Sequence, residues 1–364
     1  MKYARLCLLI LTLPAFITKN KEAAATSSSS TVTDSSRKIF IITLDGFRWQ
    51  ELFNGADSNI LADKNFTSDA ETAAGLYWAP TAEERRKKLM PFVWNVLASK
   101  GRLYGNRKYN NDVDVANLYR ISYAGYNEMF TGTTDLTIFS NDKRNNSNEN
   151  IFEYLDNNSL YKNKIALFTS WELFPYILNR KRNGLEINSG YENVKEETDA
   201  QKNFNDLQSG IVKEKKHTRE DMLTYTAARE YLEHHRPSVL YVGLGETDEY
   251  AHAGNYDMYL QKANEADHLI AELWHWAQTT EGYRNNTTFI ITTDHGRGSS
   301  AKEWTSHGTF TKGSSQAWLM LMGKGIPAEG EMKTAGQIYQ KQLAQTIANM
   351  AGEDFGRQQA LAIK

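Results

Sequence analysis

Several places in the chain put metal-type or nucleophilic side chains where chemistry could be built. Asp294 and His295 stand together before Gly296, Asp45 precedes Gly46, Asp248 is followed four residues later by His252, and His307 precedes Gly308. Carboxylate with imidazole is a donor set suited to zinc, with manganese or iron as alternatives. Bound cations of this kind activate hydroxyls and neutralise charge on a reacting ester. A hydroxyl candidate lies in the segment 118–132, LYRISYAGYNEMFTG, where Ser122 precedes Ala124-Gly125. A sharp turn there would expose the hydroxyl, and a helix beginning over 127–130 would offer free N–H groups to an anion. An ordinary capping serine is the plainer alternative. Ser122 has no base beside it in sequence, so its role as a nucleophile depends on a metal being present.

Each acid or imidazole has a bland explanation when taken alone. Asp-Gly is a common turn, and an Asp with a His four residues on is often just two neighbours on a helix face. What changes the reading is position. The apolar runs KIFIITL, SVLYVGL and FIITT read as buried strands, and they end at Asp45, at the 245–252 segment and at Asp294 respectively. In an open α/β sheet the crevice outside the carboxyl ends of the strands is where ligands bind. Three runs delivering acids and imidazoles to one sheet edge therefore predict a shared site.

Other elements frame these runs. Thr81 to Glu84 has the capping-box pattern and predicts a helix over 83–99. Helices are also expected over 220–235, 255–278 and 335–350, and further strands over 164–170 and 317–322. Residues 185–217 are charged and poor in apolar side chains, which reads as a polar insertion or lid on a single catalytic domain over 38–364. Alternation of strand and helix predicts an α/β fold, doubly wound, with a mostly parallel sheet and helices on both faces.

Length and composition set outer limits. The 364 residues suffice for one large core. A net charge of -2 gives no reason to expect a nucleic-acid polymer or an anionic membrane as partner. Lys2 and Arg5, the apolar run over 6–17 and Ala23-Ala24-Ala25 have the order of a signal peptide over 1–25, followed by a flexible leader over 26–37. The apolar run is too short for a permanent membrane span. Cys7, the only cysteine, falls inside it, so the processed chain would hold no disulfide. A periplasmic or secreted protein is expected, with lipid anchoring through Cys7 as the alternative.

In their order, these residues resemble the alkaline phosphatase superfamily, and its nucleotide pyrophosphatase/phosphodiesterase-like branch in particular. Asp45-Gly46-Phe47-Arg48-Trp49 is similar to that branch's opening metal motif, Asp248 to His252 has its Asp-to-His spacing, Asp294-His295-Gly296 its Asp-His-Gly, and His307 its last histidine. The attacking hydroxyl of the branch lies ten residues before the glycine of a Thr-Gly pair, and Thr131-Gly132 places Ser122 there. Ser122 is followed by Tyr123-Ala124-Gly125 where the branch has Phe-Pro-Asn, so the usual asparagine is missing and Asn127 is the substitute offered for substrate binding. The arginine of the formylglycine sulfatase motif is also absent.

The resemblance implies two divalent metal ions, zinc first. One would be held by Asp45, Asp294, His295 and Ser122, the other by Asp248, His252 and His307. It implies an exported hydrolase of phosphoric mono- or diesters, small molecules or headgroups, working through a phosphoseryl intermediate. A sulfate or phosphonate ester hydrolase or a phosphoryl transferase on the same core are the enzymatic alternatives, and a non-catalytic metal- or glycan-binding protein is the alternative from another class.

Overall fold

The strands begin where the apolar runs begin. β1 (Lys38–Leu44) is buried along its whole length. Its alternate residues serve both sides of a sheet: Ile39 and Ile41 enter one apolar cluster, while Phe40, Ile42 and Leu44 enter the other. A strand buried on both faces has no polar alternation to show, which is why it reads as an unbroken hydrophobic run. Each large aliphatic side chain so buried contributes about 1.5–3 kcal/mol relative to exposure.

The remaining strands are β2 (Gly101–Tyr104), β3 (Asn111–Asp114), β4 (Ile165–Thr169), β5 (Glu186–Ser189), β6 (Val239–Leu244), β7 (Thr287–Thr292), β8 (Gln316–Ala317), β9 (Leu319–Gly323), β10 (Gly330–Glu331) and β11 (Gly336–Tyr339). The central sheet has the order β10-β2-β9-β7-β1-β6-β4-β5, and β11-β3-β8 forms a small second sheet. From β7 to β5 every neighbouring pair is parallel, whereas β9 runs antiparallel to both β7 and β2. Helices cover both faces, so the architecture is the doubly wound, mostly parallel α/β fold. This computed structural model describes residues 37–211, 218–357 and 360–361, all within one compact unit, Ser35–Lys364. The leader features at 1–36, including Cys7, and His217 lie outside the described residues.

Five helices matter below: α1 (Ser122–Thr131), α2 (Asp199–Ile211), α3 (Asp221–His235), α4 (Glu246–His252) and α5 (Tyr256–Thr279). Among the described residues, no helix is long and apolar enough to cross a membrane.

Three sequence expectations change here. The helix expected over 83–99 stops at Leu89, because Pro91 lacks an N–H, and resumes beyond it; its Thr81–Glu84 capping box is present. The helix carrying Ser122 starts at Ser122 itself, five residues before the expected start, and no turn forms at Ala124-Gly125. The part of 185–217 that is described is built into the fold. β5 adds an edge strand beside β4, and α2 buries Gln201, Phe204, Asn205 and Gln208 on one face. Three of those four are polar and are satisfied by hydrogen bonds, such as Asn205 Nδ2 to Val194 O at 2.9 Å, so low apolar content hid a packed face.

Candidate metal centre

β7, β1 and β6 are adjacent in the sheet, so their carboxyl ends meet. Thr293 and Asp294 leave β7, Asp45 leaves β1, and the Gly245 turn after β6 opens α4, which carries Asp248 and His252. Gly46 follows Asp45 at φ +58°, a left-handed conformation that suits glycine. A Cβ there would come within 2.5 Å of Asp248 Oδ1 and 2.8 Å of an Arg297 Nη1. The turn therefore closes only around a bare Cα. Thr247 Oγ1 donates to Asp45 O at 2.6 Å and ties α4 back to β1. Asp221 accepts from the N–H groups of Gly245 at 2.7 Å and Glu246 at 3.1 Å, satisfying the start of α4 from the start of α3.

The acids and imidazoles fall into two groups, each gathering its ligand atoms within 4.8 Å: Asp45, Asp294 and His295, and Asp248, His252 and His307. In the first, all three side chains are buried; His295 Nε2 lies 3.6 Å from Asp45 Oδ1 and 3.4 Å from Asp294 Oδ2. In the second, His252 Nε2 is 3.2 Å from Asp248 Oδ2 and 3.0 Å from His307 Nε2. The groups adjoin, for the rings of His295 and His307 stack with centroids 4.0 Å apart.

Ser122 lies at the boundary. Its Oγ is 3.2 Å from His295 Nε2 and 3.5 Å from Asp45 Oδ1. Helical spacing explains how α1 delivers it. Ser122, Gly125 and Tyr126 share a face. A Cβ on Gly125 would collide with the carbonyl oxygen of Asp294, and Tyr126 Oη donates to Asp45 Oδ2 at 3.1 Å. The glycine that reads as a turn is the point of closest approach between α1 and the Asp-His turn.

The donor set fits divalent cations on three observations. His295 Nδ1 is 3.0 Å from Gly296 O and His307 Nδ1 is 3.0 Å from Arg120 O. A carbonyl oxygen only accepts, so each Nδ1 carries the proton and each Nε2 turns a lone pair inward. Asp294 Oδ2 is buried without a hydrogen-bond partner. Burial, then the Asp294 and Asp248 charges, push the Asp45 carboxyl well above its ordinary range, and burial pushes Asp294 up to about 8. Burial and then His307 hold His295 well below the usual imidazole range, and burial holds His307 down at about 4. Buried acids facing neutral imidazole lone pairs form a cluster that positive charge would stabilise.

Arg297 was not singled out from sequence, yet it is fully buried and its guanidinium pairs with Asp248 Oδ1 while donating to Trp304 O at 3.0 Å and Thr305 O at 2.6 Å. Burial would raise the Asp248 carboxyl, but Arg297 and then His252 outweigh it and hold the group well below the ordinary range. The available signal was adjacency, since Arg297 directly follows Asp294-His295-Gly296.

Asn127 departs from expectation. Five residues beyond Ser122, it is rotated by about 140° around the helix and faces away from the centre. Its Nδ2 donates to Thr133 O at 3.0 Å, and its Oδ1 accepts from Asn146 Nδ2 at 2.9 Å and Asn148 Nδ2 at 3.1 Å. Asn127 is thus held by interior hydrogen bonds and does not line the cleft with Ser122. Asn141 does line the cleft, and its Oδ1 accepts from the N–H of Tyr123 at 3.0 Å. Arg48 is engaged with Glu51 and Gly298 O, so it is structural.

The centre opens to a cavity of about 470 Å³ bordered by Asp45, Ser122, Asp248, His252, His307 and Trp171. Solved structures share the fold. A lipoteichoic acid synthase, LtaP, from Listeria monocytogenes aligns with TM-score 0.56 at 12% identity over 90% of this chain and 75% of that chain. The wild-type alkaline phosphatase PafA aligns with TM-score 0.55 at 10% identity over 88% and 96%. A phosphonate monoester hydrolase of Agrobacterium radiobacter aligns with TM-score 0.52 at 12% identity over 87% and 74%. No curated protein matches the sequence. A family model described as the Metalloenzyme superfamily matches residues 111–311, more than half of the chain. On that match the protein belongs to the Metalloenzyme superfamily, with the fold seen in alkaline phosphatase and its structural relatives.

Proposed function

We propose that the protein hydrolyses phosphoric esters through Ser122. The observation that carries this reading is the hydroxyl's position, on the first residue of a buried helix, touching the inner ligand group and open to a cleft that the outer group also borders. Asp45, Asp294 and His295 would hold one cation, with Ser122 beside it, and Asp248, His252 and His307 a second, zinc first among the candidates. Cations held there would lower the pKa of a hydroxyl or a water and offset charge on the phosphoryl group.

Ser122 Oγ bonds to phosphorus as the ester P–O bond breaks, and the alcohol leaves with a proton. Water then attacks the phosphoserine, its oxygen bonding to phosphorus and a proton returning to Ser122 Oγ; a monoester leaves as phosphate and a diester as the remaining monoester, one water is used per turnover, and the serine is restored. The Ser122 hydroxyl lies within reach of His295 Nε2 and Asp45 Oδ1, the same atoms that would hold the cation, so a cation there would sit beside the hydroxyl and ease loss of its proton. Tyr126 holds the other oxygen of Asp45, fixing the direction of that carboxylate. Asn141 and Lys143 line the cleft and supply donors for the non-bridging oxygens. Lys2, Arg5, the apolar run behind them and the alanines at 23–25 support export of the chain.

The test is turnover of p-nitrophenyl phosphate, bis(p-nitrophenyl) phosphate and p-nitrophenyl sulfate, with zinc and with chelator. Chelator-sensitive hydrolysis of a phosphate ester supports the reading, and preference for the sulfate overturns its substrate class. No turnover of any of the three with metal added points to a binding protein.

A further inference from the structure

The row of strand ends does not stop at the metal centre. Beyond β6 come β4 and β5, and outside their carboxyl ends lies a second cavity of about 440 Å³. Lys143 and Glu172 border both cavities and bridge to each other at 3.0 Å, forming a sill between them. Gly190, at φ +56°, lets the turn after β5 approach the turn after β4, since a Cβ there would sit 3.0 Å from Glu172 Cβ. The two basins adjoin across this sill along the sheet edge, and together they offer more room than a phosphoryl group needs.

Resting on the phosphoric-ester reading, we infer that the alcohol part of the substrate is a neutral, carbohydrate-like polyol lying in this second basin. The walls carry both donors and acceptors. Asn145 offers both kinds, and Arg180 forms a two-pronged pair with Glu192 at 2.7 and 2.8 Å. Of the five charged side chains on the walls, Lys143 pairs with Glu172 and Arg180 with Glu192, so a single lysine, Lys181, stands outside the two pairs, and an anionic group would also meet both carboxylates. An alkyl chain would strip water from charged groups without replacing their hydrogen bonds. Hydroxyls donate and accept, so a polyol meets both kinds of partner at once. Tyr176 and Tyr191 add ring surface for the C–H faces of a sugar, and Tyr191 is anchored by Oη donating to Glu220 at 2.8 Å.

The test uses the full-length, zinc-loaded protein with p-nitrophenyl phosphate, glucose 6-phosphate and trehalose 6-phosphate, together with calorimetric titration of free trehalose. The expected result is kcat/KM at least tenfold higher for the disaccharide phosphate than for the monosaccharide phosphate, and saturable trehalose binding. Tyr176→Ala, and Asn145→Ala as a smaller truncation, should lower kcat/KM on trehalose 6-phosphate at least fivefold more than on p-nitrophenyl phosphate. Hydrolysis of all three esters without dependence on sugar length, with no trehalose binding, overturns the inference while leaving the hydrolase reading intact. Saturable trehalose binding without hydrolysis of any ester supports the basin and overturns the chemistry.

Discussion

The two ligand groups share a cleft but not an environment. Asp45, Asp294 and His295 are enclosed, His295 with no exposed side-chain surface, whereas the His252 side chain is 49% exposed. Among the described residues no Lys or Arg forms an ion pair with the inner carboxyls, which burial pushes up, while outer Asp248 pairs with Arg297 and is held down. Burial pushes all three carboxyls up, and only at Asp248 do Arg297 and His252 reverse the result. On the proposed reading, a cation in the inner group would be enclosed, and one in the outer group would stay open to solvent through His252.

The hardest blow to that contrast removes what both groups face. Ser122→Ala is expected to lower kcat on p-nitrophenyl phosphate by roughly six orders of magnitude, as loss of a serine nucleophile does, with zinc content unchanged by elemental analysis. Activity surviving that change would leave attack by water as the route. Next comes unequal metal binding. Asp294→Asn should lose inner zinc and activity at any accessible zinc concentration, while His252→Ala should weaken zinc binding about 10–100-fold, by analogy with other ligand-shell losses, and regain turnover in excess zinc. Equal responses of the two variants would erase the inner-outer distinction.

Acidity gives a subtler handle. A carboxyl whose folded pKa is raised binds protons that the unfolded chain has released, so it lowers stability as pH rises from its ordinary value to its raised one. For Asp294 that window runs from 3.8 to about 8. Asp248, held low, acts oppositely: its contribution is present above its ordinary range and disappears as pH falls through its depressed value. The chelator-treated protein should therefore lose melting temperature between pH 4 and pH 8, and zinc should flatten that slope. A slope unaffected by zinc would separate the inner carboxyls from the metal. The smallest effect belongs outside both groups. Asn127→Ala should cost about 1–2 kcal/mol in urea unfolding, from the Asn146 and Asn148 amides left without their acceptor, with kcat/KM changed less than about threefold, well short of the tenfold that 1.4 kcal/mol represents.

Much of this was legible because the chemistry sits at strand ends. Runs buried on both faces, such as β1 and β7, announce themselves without periodicity, and whatever follows them lands on one edge of a parallel sheet. Helix boundaries were harder, because Gly125 has two uses and only packing against Asp294 decides between them. Arg297 escaped notice since a lone arginine after a glycine carries no signal until its burial beside Asp248 is seen. Asn127 misled because sequence distance from Ser122 says nothing about helix face. The 185–217 stretch misled because amide side chains can fill a packed surface when each finds a partner, as Gln201 Oε1 does with the N–H groups of Glu197 and Thr198.

Gly46 donates its N–H to Asp294 Oδ1 across 248 residues of chain. A polypeptide emerging from its amino end carries Asp45 and Ser122 long before it carries their partners, so no shortened fragment ending ahead of the Asp-His turn can assemble the centre. Assembly of the centre is thereby coupled to completion: Asp45 and Ser122 meet Asp294 and His295 only once the late strand is inserted beside the first.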